Sequence, residues 1–360
     1  MDLTNFYTKR TELRDLFFFT NFVFYGISRI LVFIIQFIIC VYSIKLVLAP
    51  SSPLNEDEPR IVGGATAKPH SHPYLVSLQY RLLWIRFHMC GGALLNKNWV
   101  LSAGHCVDQP WYLRWIPIDL IAGTDDVDNF APTAQIVGIG KQISHPLYAG
   151  GIGPYDLAML RAQTPFVITN EVQPINLPTE SHLRMQMLTL AGWGVLRSNA
   201  FIPDLPTKLQ EVEVTYLPYD ECYKALEEIT EEDEDNPLDE EAHICTGPLT
   251  GGIAACSGDS GGPLIQYISP TYQENNEERP AINDVNDNID KEDTDYLYND
   301  LNDEVNENNK IVNYNVIDEK IPVVVGIVSW GISPCGAKGA PTVYTNVSSY
   351  MNFIYRHLYD

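Results

Sequence analysis

Short apolar runs separated by Gly, Pro and Asn recur along most of this chain, at 74–79, 91–95, 99–103, 118–122, 136–143, 157–161, 187–193, 210–216, 263–268, 322–330 and 342–347. Runs of that length, punctuated by turn residues, predict strands, and many short strands in series predict an all-β sandwich or barrel. One stretch has a different period. Across 348–358, Tyr350, Phe353, Ile354 and Leu358 fall at helical spacing, which predicts a C-terminal helix with Ser348 or Ser349 as its cap.

The N-terminus has no such punctuation. Residues 30–44 are almost wholly apolar, and 16–28 are also rich in Phe and Leu. Lys9, Arg10, Arg14 and Arg29 precede the main run, a bias that keeps this end cytosolic and sends the remainder across. Taken as 30–44, the run has the length of a signal-peptide core. Extended past Lys45 to Leu48, it approaches the length of a signal anchor. Residues 1–49 are therefore read as a leader, and both readings place the remainder outside the cytoplasm. A membrane is a partner only if the leader is retained. Residues 50–60, with Pro50, Pro53, Glu56, Asp57, Glu58 and Pro59, read as an exposed linker that a protease can reach.

The length of 360 residues and the 45% hydrophobic content suit a globular protein. The net charge of −23 is more unusual, but it is concentrated in two segments. Residues 227–241 hold ten acids and no base, and the 268–320 segment holds fifteen acids against four bases. Outside them the chain is close to neutral, and no basic stripe exists to offset phosphate, so nucleic acid is not an expected partner. The composition of 268–320 predicts disorder. Its Asp/Asn alternation suggests a calcium loop, yet it lacks the glycine such a loop needs for its sharp turn. No metal and no cofactor are expected.

The chemistry lies in Cys256-Ser257-Gly258-Asp259-Ser260-Gly261-Gly262-Pro263. A serine hydroxyl is a poor nucleophile and needs a base, an oxyanion site and a bend that exposes it. Leu101-Ser102-Ala103-Gly104-His105-Cys106 offers the base, and Tyr155-Asp156-Leu157 offers an acid at the edge of an apolar run. Arg60-Ile61-Val62-Gly63-Gly64 adds a basic residue followed by an apolar, glycine-tailed start. In this order and combination the motifs resemble the chymotrypsin/trypsin-like serine peptidases over residues 61–360.

The resemblance implies two six-stranded antiparallel barrels with a C-terminal helix and a cleft between the barrels, the two acidic segments being insertions. By the family's triad mechanism His105 would take the Ser260 proton, Asp156 would orient the imidazole, and the N–H groups of Gly258 and Ser260 would hold the oxyanion. Cleavage after Arg60 by a trypsin-like protease would free the Ile61 amine to pair with Asp259, so the intact chain would be a zymogen. The specificity pocket would comprise Ala254, Ala255, Ser329, Trp330, Gly331 and Thr342. No carboxylate stands among these, so a Lys or Arg side chain would go unpaired, and apolar residues are expected before the scissile bond. Of seven cysteines, Cys40 stands apart. The family pattern pairs Cys90–Cys106, Cys222–Cys245 and Cys256–Cys335, whereas spacing alone leaves fifteen connectivities open. Disulfides imply an oxidising compartment.

Gly104 departs from the alanine usual in relatives, which predicts only a slightly looser loop. Trp193 in Ala191-Gly192-Trp193-Gly194 is expected in the core, and Asn346-Val347-Ser348 is an N-glycosylation pattern at a strand-to-helix junction, read as structural. The reading is a secreted, monomeric serine endopeptidase acting on proteins or peptides. Its alternatives are a membrane-anchored cell-surface protease and a non-catalytic binding homologue.

Overall fold

The computed structural model describes residues 63–109, 113–179, 187–195, 206–230, 235–268 and 320–359. The chain divides into two units, Met1–Glu58 and Pro59–Asp360. The leader, the linker with Arg60, Ile61, and most of the 268–320 segment lie outside the described residues. Among the described residues no helix is long and apolar enough to cross a membrane.

Six strands close the first barrel in the order β2-β3-β4-β7-β6-β5. They are β2 (Leu75–Leu82), β3 (Ile85–Asn96), β4 (Trp99–Ser102), β5 (Ile118–Ala122), β6 (Gln135–Ser144) and β7 (Ala158–Ala162). The second barrel runs β9-β10-β13-β12-β11-β8 and closes by pairing β8 with β9, while the two-residue β1 (Ala65–Thr66) extends its edge at β9. Its strands are β8 (Met187–Gly192), β9 (Gln210–Leu217), β10 (His243–Gly247), β11 (Pro263–Ile268), β12 (Ile321–Gly331) and β13 (Thr342–Asn346). Closure removes free sheet edges and fills each interior with side chains. Leu78, Leu94, Leu101, Leu120 and Leu160 fill the first interior at 0% exposure, each such burial being worth about 1.5–3 kcal/mol. The main cluster also contains Ala191, Trp193, Ile265, Val324 and Ile327, so the barrels share a packed seam.

The expected two-barrel architecture is present, and the eleven apolar runs correspond to strands. Besides the two-residue β1, two elements were missed. β10 is short, and the helix Tyr219–Glu227 buries only Cys222, Ala225 and Leu226. The 227–241 segment is only partly a loose acidic expansion. Leu238 is buried, and Asp239 Oδ1 accepts from the N–H groups of Glu241 and Ala242. β11 runs through Ile268, which pairs with Ile321, as the apolar run 263–268 predicts.

The C-terminal region needs two corrections. A 3-10 turn, Val347–Tyr350, precedes the helix Met351–Leu358. The cap is Asn346, not Ser348 or Ser349, since its Oδ1 accepts from the Ser348 N–H at 3.2 Å. The Asn346 amide also donates to Glu241 O at 3.2 Å. Both ends of that side chain thus serve the fold, in keeping with the structural reading of the Asn-Val-Ser pattern.

All three expected disulfides are formed: Cys90–Cys106, Cys222–Cys245 and Cys256–Cys335. The first ties β3 to the turn carrying His105, and the third ties the turn before Ser260 to the segment after β12.

Candidate active site

His105 follows β4 in a tight turn, half-buried, with its side chain 31% exposed. Asp156 precedes β7 and is 1% exposed. The preceding Tyr155 adopts φ 68°, a left-handed conformation costly for a bulky residue and sustained only by its surroundings. Those surroundings are the Tyr350 hydroxyl, which accepts from the Tyr155 N–H at 3.0 Å, and the His145 ring stacked at 4.8 Å. The C-terminal segment therefore sets the backbone that presents Asp156.

The Asp156 carboxylate accepts from three groups. Oδ1 takes the His105 backbone N–H at 2.8 Å, and Oδ2 takes His105 Nδ1 at 2.8 Å and the Ser329 hydroxyl at 2.6 Å. A buried carboxylate is costly unless fully hydrogen-bonded, and this one is. Because Asp156 accepts from Nδ1, the proton sits there and Nε2 is left as the lone-pair nitrogen. The Thr345 hydroxyl also donates to Asp156 O at 2.8 Å.

The glycine at 104 has a reason that sequence reading misjudged. A Cβ there would stand 2.9 Å from Tyr148 Cδ1 and 3.1 Å from Cε1. The loop is not loosened. It is close-packed against the Tyr148 ring, whose hydroxyl pKa is raised by burial and by the nearby Asp156 and Asp108.

Ser260 sits in the turn before β11. Gly258 at φ 103° and Gly261 at φ 77° supply left-handed backbone on either side of it. The turn crosses the seam: Gly91 N–H of β3 donates to Ser260 O at 2.7 Å. A Cβ on Gly261 would strike Ser102 Oγ and would stand 2.7 Å from Gly91 O and 3.1 Å from Ala103 N. Backbone contact thus brings the Ser260 turn against the residues just before His105. Among the described residues no hydrogen bond joins Ser260 Oγ to His105, and the Gly258 and Ser260 N–H groups have no intramolecular acceptor. Cys90, Cys106 and His105 cluster within 4.8 Å, but both sulfurs are spent in their disulfide, so they do not form a metal-ligand set.

Asp259 points away from solvent, at 1% exposure. Cys256 N–H donates to it at 2.9 Å and Gly194 N–H at 2.8 Å. A Cβ on either Gly192 or Gly194 would collide with its carboxylate, so the Gly-Trp-Gly sequence is a cradle for this acid. Burial pushes its pKa up to about 6, against the lowering effect of the two N–H donors. Trp193 is buried as expected, and its indole donates to Asp125 O at 3.0 Å.

Sequence reasoning missed His88. Its Nε2 lies 2.9 Å from Gly258 O and its Nδ1 2.8 Å from Ser77 Oγ. A carbonyl can only accept, so Nε2 carries the proton and Ser77 donates to Nδ1. The ring lies edge-on to Trp193 at 5.4 Å, and burial depresses its pKa to about 4. A histidine four residues inside an apolar strand gave no chemical signal in the sequence, because its partner Gly258 is 170 positions away.

The predicted pocket residues gather on β12, β13 and the segment before Cys256. Ala254, Ala255, Ser329, Trp330 and Thr342 are buried, and Gly331 is exposed. Gly331 pairs with Thr342, and Ala255 packs in one cluster with Val328 and Tyr344. A Cβ on Gly331 would meet only ordinary contacts, at 3.7 Å from Pro341 O and 4.0 Å from Thr342 Cα. The interior packing does not require glycine there.

A family model described as Trypsin matches residues 61–267 and 311–354. The chain is 28% identical over 336 residues to lectizyme of Glossina austeni, covering 89% of this chain and 95% of that protein. It is 37% identical over 217 residues to serine proteinase stubble of Drosophila melanogaster, covering 59% of this chain and 26% of that much longer protein. Trypsin-1 of Astacus astacus is 28% identical over 296 residues, covering 82% of this chain and 98% of that one. Both barrels, the three disulfides and these matches agree: the chain belongs to the trypsin family and is a serine endopeptidase with a chymotrypsin-like fold.

Proposed function

We propose that Ser260 is the nucleophile, His105 the general base and acid, and Asp156 the residue that holds the imidazole. The observation that carries this reading is the paired 2.8 Å contact of His105 N and Nδ1 with the buried Asp156 carboxylate. That pairing leaves Nε2 as the proton acceptor for Ser260. Ser260 Oγ attacks the peptide carbonyl as Nε2 takes its proton, and the same proton then goes to the leaving amine. The Gly258 and Ser260 N–H groups stabilise the oxyanion; loss of one such donor costs on the order of 3 kcal/mol in other enzymes.

Activation follows cleavage after Arg60. The new Ile61 amine pairs with Asp259, a carboxylate that burial otherwise drives toward neutrality. The protein is exported, consistent with three disulfides. Substrates carry small to medium apolar side chains before the scissile bond. Ala254 and Ala255 at the base and Thr342 on the wall support this, since they present no counter-charge for Lys or Arg. The name trypsin among the relatives therefore does not transfer a basic specificity.

A fluorophosphonate probe, applied before and after cleavage at Arg60, tests the reading. Labelling at Ser260 only after cleavage is expected. Absence of labelling after cleavage would favour the non-catalytic binding homologue, and a panel of peptides varied at the residue before the cut would overturn the pocket if Arg were preferred. N-terminal sequencing of secreted and membrane fractions separates the released enzyme from the anchored one.

A further inference from the structure

The β2–β3 hairpin ends in an unusual tip. Leu82 pairs with Ile85, so Leu83 and Trp84 form a two-residue turn. A two-residue turn with left-handed backbone at its first central position favours Gly there. Here Leu83 is held at φ 57°, and Leu83 and Trp84 are 70% and 72% exposed. Leu82 and Phe87 add further exposed apolar surface. Neither turn geometry nor solubility favours Leu-Trp at this point, so the tip is maintained for a contact outside the fold.

Cations ring its base. Arg81 and Arg86 are cross-strand partners immediately below the tip. Arg81 also lines a recess of about 400 Å³ with Arg114, Lys141 and the amides of Gln109, Gln142 and Gln163. The single acid in that lining, Asp119, is 1% exposed and already bridged by Arg86 at 3.0 Å and Arg81 at 3.7 Å. Trp115, beside Arg114, is 69% exposed. In a chain of net charge −23 this surface is locally cationic, with apolar residues projecting beyond the charges. Apolar tips that enter the acyl boundary and cations that meet phosphate headgroups are the two parts of interfacial binding to anionic membranes.

We propose that the hairpin tip and the adjoining basic recess dock the enzyme on an anionic lipid bilayer. Leu83 and Trp84 insert, while Arg81, Arg86, Arg114 and Lys141 meet the headgroups. The tip lies four residues, about 13 Å of strand, from His88, whose ring touches the Gly258 turn. Docking holds the groove close to the bilayer and favours membrane-proximal polypeptide as substrate. That last clause rests on the proposed active site, whereas the docking itself does not.

Tryptophan emission of the full chain, quenched by nitroxide-labelled lipid in vesicles with and without phosphatidylserine, tests it. The six tryptophans lie at 84, 99, 111, 115, 193 and 330, so insertion of the apolar leader alone brings none into the bilayer. The key variant is Leu83→Gly, which keeps Trp84 as the reporter, cuts the apolar surface of the tip and supplies the residue that left-handed backbone at the first turn position prefers, so a binding loss does not come from unfolding. Quenching by phosphatidylserine vesicles that falls at least about twofold in this variant is expected. Arg81→Gln with Lys141→Gln should raise the vesicle concentration needed by about tenfold. Equal quenching in wild type and tip variant overturns the proposal. So does a tip variant that binds vesicles normally but cleaves a protein substrate poorly while sparing a short peptide, which makes the tip a substrate grip instead. Hydrolysis of the short soluble peptide, unchanged in both variants, separates failure of docking from failure of the active site.

Discussion

Replacing His88 by phenylalanine keeps an aromatic ring beside Trp193 but removes the donor to Gly258 O and the acceptor for Ser77. Two lost hydrogen bonds, with the Gly258 carbonyl left unpaired, amount to about 2–4 kcal/mol at neutral pH. The pH dependence is more diagnostic. The His88 pKa falls from 6.5 to about 4 on folding, so as pH drops the unfolded chain binds the proton first. The stability contributed by neutral His88 is complete above pH 6.5, is lost between 6.5 and about 4, and levels off below. At 1.36 kcal/mol per unit this is about 3 kcal/mol at most, and partial exposure of the residue trims it to about 2–3. Asp259 runs the other way. Its pKa rises from 3.8 to about 6, so its contribution is present below 3.8 and lost as pH rises through 6. That opposing trend enters both curves, and because His88 bonds the residue next to Asp259 it is separated by repeating the pair in an Asp259→Asn background. Urea unfolding of wild type and His88→Phe, both in a Ser260→Ala background to prevent self-digestion, should give a gap that narrows by about 2–3 kcal/mol from pH 7 to pH 4. A gap that stays constant across that range would refute the tautomer and burial assigned to this histidine.

Gly104→Ala should destabilise the fold by about 1–3 kcal/mol through overpacking against Tyr148, read as a lowered urea midpoint. Tyr148→Ala in the same chain should recover most of the loss, and failure to do so would place the strain elsewhere. Ser329→Ala removes the 2.6 Å donor to Asp156; kcat should fall about tenfold with KM little changed, for a loss of about 1.5 kcal/mol. Thr342→Gly should widen the pocket and raise kcat/KM for Phe relative to Ala before the scissile bond by about tenfold or more. An unchanged ratio in peptide assays would remove Thr342 from the pocket wall.

The strands were readable because each carries a continuous apolar run between turn residues, and the barrel interiors use those runs directly. β10 and the helix Tyr219–Glu227 were not, because each is short and flanked by an acidic tract that masks the period. The Ser260, His105 and Asp156 motifs were legible through local composition and order. Ser329 was noticed only as a pocket residue, yet its hydroxyl serves Asp156 from 173 positions away. His88 and Tyr148 were invisible for the same reason: their significance lies in what the fold places beside them. Gly104 shows the limit most clearly, since an absent methyl reads as slack in a sequence and as occupied space in the folded protein.

Apart from the His88 ring on Gly258 O and the Ser102 hydroxyl, the contact between the Ser260 turn and the first barrel is made of main chain: Gly91 against Ser260 and Gly262, and Gly261 against Ala103. The gap between Ser260 and His105 is therefore gauged largely by peptide units, whose dimensions do not drift as surface residues are exchanged. A side chain introduced at Gly91, Gly261 or Gly262 would act as a wedge, and its damage should appear in turnover at temperatures well below those that melt the protein.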